Sequence, residues 1–395
     1  MKRKKIVLFV NNLAVGGTQK NVLTIARALD RTRFEAEICL SSSTIMFHES
    51  IIKEIPSLKV IPWFSYKTGH RGTQKDSKRF HPVVFIKFMY YLFKNRNATW
   101  HFFGFPLIYF GIAASYLTGN RRIVTTIQDW DVWKKSYHRF LDKFVYKRSR
   151  RIVCDGNGCS EYAQKAGNAS QYADKFRIIY DGVDTAGLGV KGESNLTRAA
   201  LGLPADVPTA GVIGRYDVRK KGQDDFIKCA ALVLKEYPDA RFLLVGYGDD
   251  EVCLQALATN MGLDNAVVFI AANTDLQSVF DLMDVLVISS RWESVPKILL
   301  EGMAAAKPIV STDAGDTREV MEDRVEGILI RVSDIQGMAG AICEMFGSKH
   351  LRGMLGQNAK NKVLEKYTLE KSMTAIEEVY CEVDYEWNGT NKKKA

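Results

Sequence analysis

Short apolar runs followed by stretches of helical period recur along the whole chain, and this alternation restricts the fold more than any single residue does. An apolar run of about five residues reads as a buried strand, and a parallel neighbour needs a crossover helix between the two. The second half carries the clearer series, with strands over 209–213, 242–245, 267–270, 285–289 and 308–311 and helices over 223–236, 250–261, 276–283 and 297–306. The first half gives strands over 5–10, 36–40, 123–127 and, as its last, 151–154, with helices over 21–29 and 83–93. Residues 333–387 read as consecutive helices. The fold class is therefore α/β, with two doubly wound Rossmann-like domains whose strand carboxyl ends are expected to face each other across a cleft.

The weakly patterned stretch 185–208 is expected to link a domain over 1–184 to one over 209–370, leaving 371–395 as a helix returning to the first domain and a tail. Ser65 to His81 is polar, basic and nearly without apolar anchors, and it is expected to be a mobile loop. Hydrophobic residues make up 46% and charged residues 25%, which excludes a disordered or fibrous chain. The seven cysteines are scattered, with no Cys-x-x-Cys pair, and suit a reducing cytosol. After the basic Met1 to Lys5 the apolar run stops at Asn11, so it reads as a strand and not an export signal. No apolar stretch reaches the roughly 18–20 residues that cross a bilayer; the nearest, Ala98 to Thr118, is broken by His101, Gly104, Pro106 and Gly111.

The net charge of +10 is unevenly spread: residues 1–151 hold 28 Lys and Arg against 9 Asp and Glu, or +19, and residues 152–395 hold 27 against 36, or −9. The two halves are expected to face different partners, the basic one suiting nucleic acid, an anionic membrane or a phosphorylated substrate.

Three motifs carry chemistry. Gly16-Gly17-Thr18 follows the first strand and opens the first helix, where its backbone can approach a phosphate with the positive helix end behind it. It lacks the Walker and dinucleotide spacings, and a plain tight turn is the alternative. Gly214-Arg215 closes the strand over 209–213 and Lys221-Gly222 opens the next helix, so two cations stand ready to neutralise a diphosphate. The alternative is a solvated basic turn, since Arg219 and Lys220 share it. In Glu293-Ser-Val-Pro-Lys-Ile-Leu-Leu-Glu301, Pro296 suits a first helical turn, placing Glu293 in the preceding loop and Glu301 inside the helix. Glu301 stands among Ile298, Leu299, Leu300 and Met303, where a carboxylate is costly unless paired or bonded to hydroxyls.

The two glutamates separated by seven residues, with Gly214-Arg215, Lys221-Gly222, Leu244-Val245-Gly246-Tyr-Gly248-Asp249 and Asp181-Gly182-Val183-Asp184, resemble the marks of retaining glycosyltransferases of family four, also called glycosyl transferases group 1, which have the GT-B fold. The resemblance spans residues 5 to about 385 and is tighter in the second half. It implies an acceptor domain first and a nucleotide-sugar donor domain second. It also implies that Arg215 and Lys221 hold the donor diphosphate, Glu301 the ribose hydroxyls and Glu293 the transferred sugar. Val295, Pro296 and Lys297 would belong to the donor loop, and the Gly16-Gly17 turn would close over the phosphates.

The chain departs from the family at Ser294 and Ala306, where glycine is common, and at Gln128, where a histidine often precedes Asp129. Gln128 can hydrogen-bond a sugar hydroxyl but cannot titrate. His101 sits where the family often has another histidine, and with Gln128 and Asp129 it is an acceptor-side candidate; a structural His beside aromatics is the alternative. Asp129-Trp130-Asp131 imitates a metal-binding Asp-x-Asp, but a metal site leaves the two-glutamate pattern without purpose, and no metal ligand is expected. Trp130 and Trp133 suit the lining of an acceptor cleft or an ordinary aromatic packing.

Pro82 to Arg96 is apolar with basic edges, and Lys134 to Arg151 is a second basic stretch; either suits an anionic leaflet or a helix packed on a sheet. The expectation is a retaining, metal-independent hexosyltransferase that needs no cofactor. Its donor would be a nucleotide sugar, UDP-linked, and its acceptor a cell-surface glycan or lipid-linked saccharide. It would be cytoplasmic, peripheral to the inner face of the cell membrane, and would not bind nucleic acid. A nucleotide-sugar epimerase on the same architecture is the alternative, and a basic nucleic-acid binder is a weaker one, having no use for Glu301 in an apolar helix.

Overall fold

The computed structural model describes residues 3–13, 16–43, 45, 53, 55–62, 64–68, 74–80, 82–130, 134–167, 169–185, 196–272 and 275–392. It divides into two compact units, Met1–Tyr180 with Ser372–Ala395, and Asp181–Lys371.

The strands of unit one are β1 (Lys4–Val10), β2 (Phe34–Leu40), β3 (Leu58–Val60), β4 (Phe64–Thr68), β5 (Gln74–Phe80), β6 (Thr99–Phe103), β7 (Ile123–Ile127), β8 (Arg151–Cys154) and β9 (Phe176–Ile178). Seven of them form a parallel sheet in the order β3-β2-β1-β6-β7-β8-β9. Ile6, Val7, Leu8 and Phe9 of β1 are fully buried, as a central parallel strand with helices on both faces requires. Phe9 stacks on Phe88 with ring centroids 4.8 Å apart and meets Phe102 edge-on at 5.6 Å, beside the fully buried Trp100.

Two expectations for this unit are corrected. Within the segment expected to be a mobile loop, β4 and β5 pair antiparallel, Phe64 opposite Phe80 and Thr68 opposite Gln74. Neighbouring segments joined by a short connection satisfy their backbone groups on each other without needing an apolar pattern. The last strand is β9, not β8: Ile152 pairs with Phe176 and Cys154 with Ile178. At three residues β9 is too short to show a period.

The helix Leu369–Lys392 begins in unit two and contributes Ser372 onward to unit one. Its Ile376, Val379, Tyr380 and Val383 are buried. Its acids answer the basic charge of this unit. Glu377 pairs with Arg33 at 2.9 Å, Asp384 with Lys4 at 3.2 Å and Arg122 at 3.0 Å, and Glu382 with Arg151 at 2.5 Å and Arg177 at 3.0 Å. Part of the first half's positive charge is thus neutralised by the chain's own terminus, and only the rest is left for the partner expected of the basic half.

Unit two has β10 (Thr209–Ile213), β11 (Arg241–Gly246), β12 (Val267–Ala271), β13 (Val285–Ile288), β14 (Ile309–Thr312) and β15 (Ile328–Ile330). They form a parallel sheet in the order β12-β11-β10-β13-β14-β15. The order reverses between β10 and β13, and the carboxyl ends of those strands flank the crevice where such sheets bind ligands. The same reversal lies between β1 and β6 in unit one. One core cluster, centred on Phe226, Phe242, Leu244, Ile342 and Met345, holds the strands against the helices Gln223–Val233 and Ile335–Gly347. Of the expected linker, Arg198 bonds to the Leu282 and Val207 carbonyls at 3.0 and 2.6 Å within unit two, and residues 186–195 lie outside the described residues.

Candidate functional site at the carboxyl ends of β10 and β13

The loop leaving β10 runs through Gly214 and Arg215 into a single helical turn, Val218–Lys221, capped by the Asp217 carboxylate on the Lys220 N–H. Gly222 ends that turn at φ 62° and passes the chain into the helix Gln223–Val233. Only a residue without a β-carbon fits here, since one would lie 2.2 Å from the Ser289 carbonyl oxygen at the end of β13. The Ser289 hydroxyl in turn donates to the Lys221 carbonyl at 2.8 Å. The two loops flanking the crevice are therefore locked together through Gly222.

Arg291 makes the second lock. Its guanidinium donates to both oxygens of Asp224, at 2.9 and 3.0 Å, to Asp225 at 2.8 Å and to the Val218 carbonyl. Its own N–H bonds to the Lys220 carbonyl at 2.7 Å. Burial pushes the Asp224 carboxyl up, but hydrogen bonds and charge from Arg291 and Lys228 outweigh this and hold it below the usual carboxylate range. The sequence reading gave Arg291 no role; the adjacent Asp224-Asp225 pair opening a helix is the signal that points to a cation partner.

These locks bring Glu293 to Lys221. The Lys221 ammonium donates to Glu293 Oε1, Lys220 Nζ lies 3.3 Å from Oε2, and the Ser290 hydroxyl donates to Oε1 at 3.1 Å. Glu293 is 6% exposed. Burial alone raises its carboxyl pKa; the two ammoniums and the two hydrogen bonds outweigh it and hold the group ionised, below the ordinary value. Gly315, in the loop after β14, packs its backbone on Glu293: at φ 58°, its β-carbon would fall 1.7 Å from the Glu293 carbonyl oxygen. The Lys221 side chain passes Gly214, its Cε 3.9 Å from where a β-carbon there would lie.

Arg215 shares the loop but is exposed and pairs with Asp217 at 2.8 Å, while Gln223 donates to its carbonyl at 2.7 Å. The Leu244 to Asp249 segment holds this loop from the other side, with Gly214 N–H bonding to the Val245 carbonyl at 2.9 Å and Tyr216 N–H to that of Tyr247 at 2.8 Å. The helix Lys297–Ala304 starts at the expected residue with Pro296 as its cap, and ends two residues earlier than the expected 306. Val295 is buried, Lys297 Nζ lies 3.8 Å from Asp181, and Glu301, half-buried, shares the Lys297 face one turn on.

In unit one, Gly16 caps and Gly17 opens the helix Gly17–Ala28 at the carboxyl side of β1. Gln128 and Asp129 are half-buried just past β7, and Trp130 stacks on Tyr162 at 5.6 Å. Asp131 and Trp133 lie outside the described residues. His101 is fully buried, with Nδ1 2.8 Å from the Tyr380 hydroxyl and Nε2 2.5 Å from Thr126 Oγ1. Burial pushes its pKa down to about 3. Both ring nitrogens are occupied, so the acceptor-side expectation is corrected: His101 pins the terminal helix to the sheet. Among the described residues no three His, Cys, Asp or Glu side chains are grouped to hold a metal, and no helix is long and apolar enough to cross a membrane.

Residues 207–348 match the family described as Glycosyl transferases group 1. The lipopolysaccharide core biosynthesis glycosyltransferase LpsE of Rhizobium meliloti is 26% identical over 60% of this chain and 65% of its own length. The Escherichia coli UDP-Gal:alpha-D-GlcNAc-diphosphoundecaprenol alpha-1,3-galactosyltransferase is 24% identical over 63% of this chain and 64% of its own. The chain thus spans under two thirds of the length of each of these relatives. The crystal structure of Anabaena Alr3699/HepE in complex with UDP and glucose superposes with a TM-score of 0.80 at 19% identity, covering 95% of this chain and 99% of that one. Residues 207–348 are thus similar to the glycosyl transferases group 1, and the two Rossmann-like units have the GT-B fold.

Proposed function

We propose that this protein is a retaining, metal-independent glycosyltransferase that moves a sugar from a UDP-sugar to a cell-surface glycan or lipid-linked saccharide, working in the cytoplasm at the inner face of the membrane. The observation that carries the reading is the buried Glu293 carboxylate held by Lys221 and Lys220 at the reversal point of the unit-two sheet. Transfer from a nucleotide sugar leaves negative charge on the departing diphosphate, and cations already fixed beside a helix start stabilise that charge without reorganising. In this reading Lys221 and Arg215 take the diphosphate, and Glu293, held ionised, orients Lys221 and meets the sugar. Glu301 takes the ribose hydroxyls, and the turn Val295, Pro296 and Lys297 lines the donor. Gly16 and Gly17 offer backbone N–H groups to phosphate in unit one, and Gln128 and Asp129 serve the acceptor. UDP in the solved relative supports the donor, and a diphosphoundecaprenol-linked substrate in the E. coli relative's name supports the acceptor class.

The test is product analysis with UDP-sugars, with and without a lipid-linked acceptor. Lys221→Ala is expected to lower turnover by roughly 10²–10³-fold, the scale of one lost transition-state donor. Glu301→Ala is expected to abolish transfer with the fold intact, and EDTA to have no effect. Near-normal turnover in either variant, or conversion of the donor without an acceptor, refutes the assignment.

A further inference from the structure

We infer that unit one carries a second anion site, between the start of β1 and the helix Pro82–Lys94, that takes the phosphate of an anionic phospholipid. The inference rests on the membrane-surface part of the proposed function and names where the lipid binds.

A cavity of about 740 Å³ lies beside the start of β1 and the helix Pro82–Lys94. Lys5, Lys59, Lys87 and Lys94 line it with Tyr90 and Tyr91. Lys5 is 3.2 Å from the Glu37 carboxylate and 3.0 Å from Asn95 Oδ1, and Tyr91 also donates to Glu37. Lys59 stands over the Tyr91 ring, 5.7 Å from its centroid. One carboxylate therefore answers four ammoniums, and among the described residues Lys87 and Lys94 make no ion pair. Cations gathered against an apolar wall repel one another until an anion enters.

The wall of that cavity continues as an apolar surface. On the same helix Val83, Ile86, Tyr90 and Phe93 are 66, 59, 67 and 46% exposed, while Phe88 and Leu92 are buried. Their spacing of three and four residues puts the exposed four on one face, flanked by Lys87 and Lys94. The next helix in the layer, Leu107–Thr118, packs against this one through Phe85 and Phe110 at 5.9 Å, and it exposes Leu117. The third, Ser136–Arg148, is fixed to it by Tyr109 on Asp142 at 2.7 Å and repeats the pattern with Tyr137, Phe140 and Phe144 exposed.

Single exposed apolar residues need no explanation, but exposed apolar residues repeated on three successive packed helices do. These three helices hold six Lys and Arg and a single acid, Asp142, which is buried and paired with Lys134. An apolar stripe beside unanswered ammoniums complements an anionic leaflet, with acyl chains against the stripe and a headgroup phosphate in the cavity. A nucleic acid or a soluble phosphate makes no use of the stripe.

The experiment is co-flotation of the full chain with vesicles of phosphatidylcholine alone and of phosphatidylcholine mixed with phosphatidylglycerol. Binding is expected to the mixed vesicles only, and to weaken with salt. Lys87→Gln with Lys94→Gln is expected to weaken it about thirtyfold, at about 1 kcal/mol per lysine near the surface. Ile86→Ser with Phe93→Ser is expected to weaken binding as well, while Lys235→Gln with Lys366→Gln, exposed lysines of unit two, is not. Circular dichroism confirms that each variant is folded. Equal loss from the unit-two pair, equal binding to neutral vesicles, or release by millimolar glycerol phosphate overturns the inference. Donor turnover with a water-soluble acceptor is measured on the same variants: its retention while vesicle binding is lost separates this proposal from the transferase reading.

Discussion

The most exacting test of how the candidate site is built is the single methyl group added by Gly222→Ala. Gly222 sits at φ 62°, where an alanine costs about 1–2 kcal/mol through the clash of its β-carbon with the backbone. The tertiary term adds to this, because the new carbon would lie 2.2 Å from the Ser289 carbonyl oxygen, well inside the 3.4 Å at which ordinary contact begins. Relieving that overlap needs the end of β13 or the start of the next helix to shift, a typical overpacking cost of about 1–3 kcal/mol. The sum, about 2–5 kcal/mol, lowers the melting temperature of a domain of this size by roughly 4–20 °C. The shift also strains the bond from the Ser289 hydroxyl to the Lys221 carbonyl, so turnover is expected to fall by about 10²-fold even below the melting transition, the scale of a 1 Å misplacement. Gly353→Ala is the matched control. It makes the same chemical change inside the helix Lys349–Lys366, at an exposed position with nothing near the new carbon, and is expected to stabilise by roughly 0.5–1 kcal/mol. Calorimetry with steady-state kinetics on both variants decides the matter. Equal melting temperatures for the two, or a Gly222→Ala enzyme with unchanged turnover, would show that the lock between the β10 and β13 loops does not act as argued.

Arg291→Met removes the cation shared by Asp224 and Asp225, which are 16% and 5% exposed. Lys228 remains on both carboxylates and Arg291 is itself partly exposed, so the expected loss is about 2 kcal/mol, below the roughly 3–5 kcal/mol of a fully buried pair, read by urea denaturation. His101 gives unit one an acid sensitivity of known sign. Its folded pKa, about 3, lies below the ordinary 6.5, so its contribution is full above pH 6.5 and is lost as pH falls toward 3. At pH 5 the unfolded chain gains about 2 kcal/mol from protonating this residue. His101→Gln is expected to flatten that part of the pH–stability curve, followed by the fluorescence of buried Trp100; an unchanged curve would refute the assignment.

Much of unit two was legible because its strands are continuous apolar runs punctuated by turn residues. The expected strand 209–213 coincides with β10, and the others in the series agree with the structure to within a residue or so at each end. The short strands β3, β9 and β15 carry no period of their own and exist because a neighbouring edge offers backbone partners. β6 was hidden for another reason: His101 interrupts the apolar run of Thr99 to Phe103, and only the Tyr380 and Thr126 hydroxyls make its burial affordable. In the site, Glu293, Glu301, Arg215 and Lys221 stood out by spacing and residue type. Arg291 did not, since its worth depends on two aspartates 66 and 67 positions away.

Period, composition and the placement of glycine and proline are local properties, and they were enough to establish an α/β chain of two parallel-sheet units and to single out its charged motifs. Which charges meet is not local. The pairing of Glu293 with Lys221, the turning of Arg215 toward Asp217, the closing of the basic first unit by acids from the far end of the chain and the sealing of His101 in the core were decided only by folding. The reason is physical: the free energy of a charge or a polar ring depends on its distance to partners and on the water it has lost, and neither is defined until the sheets are assembled.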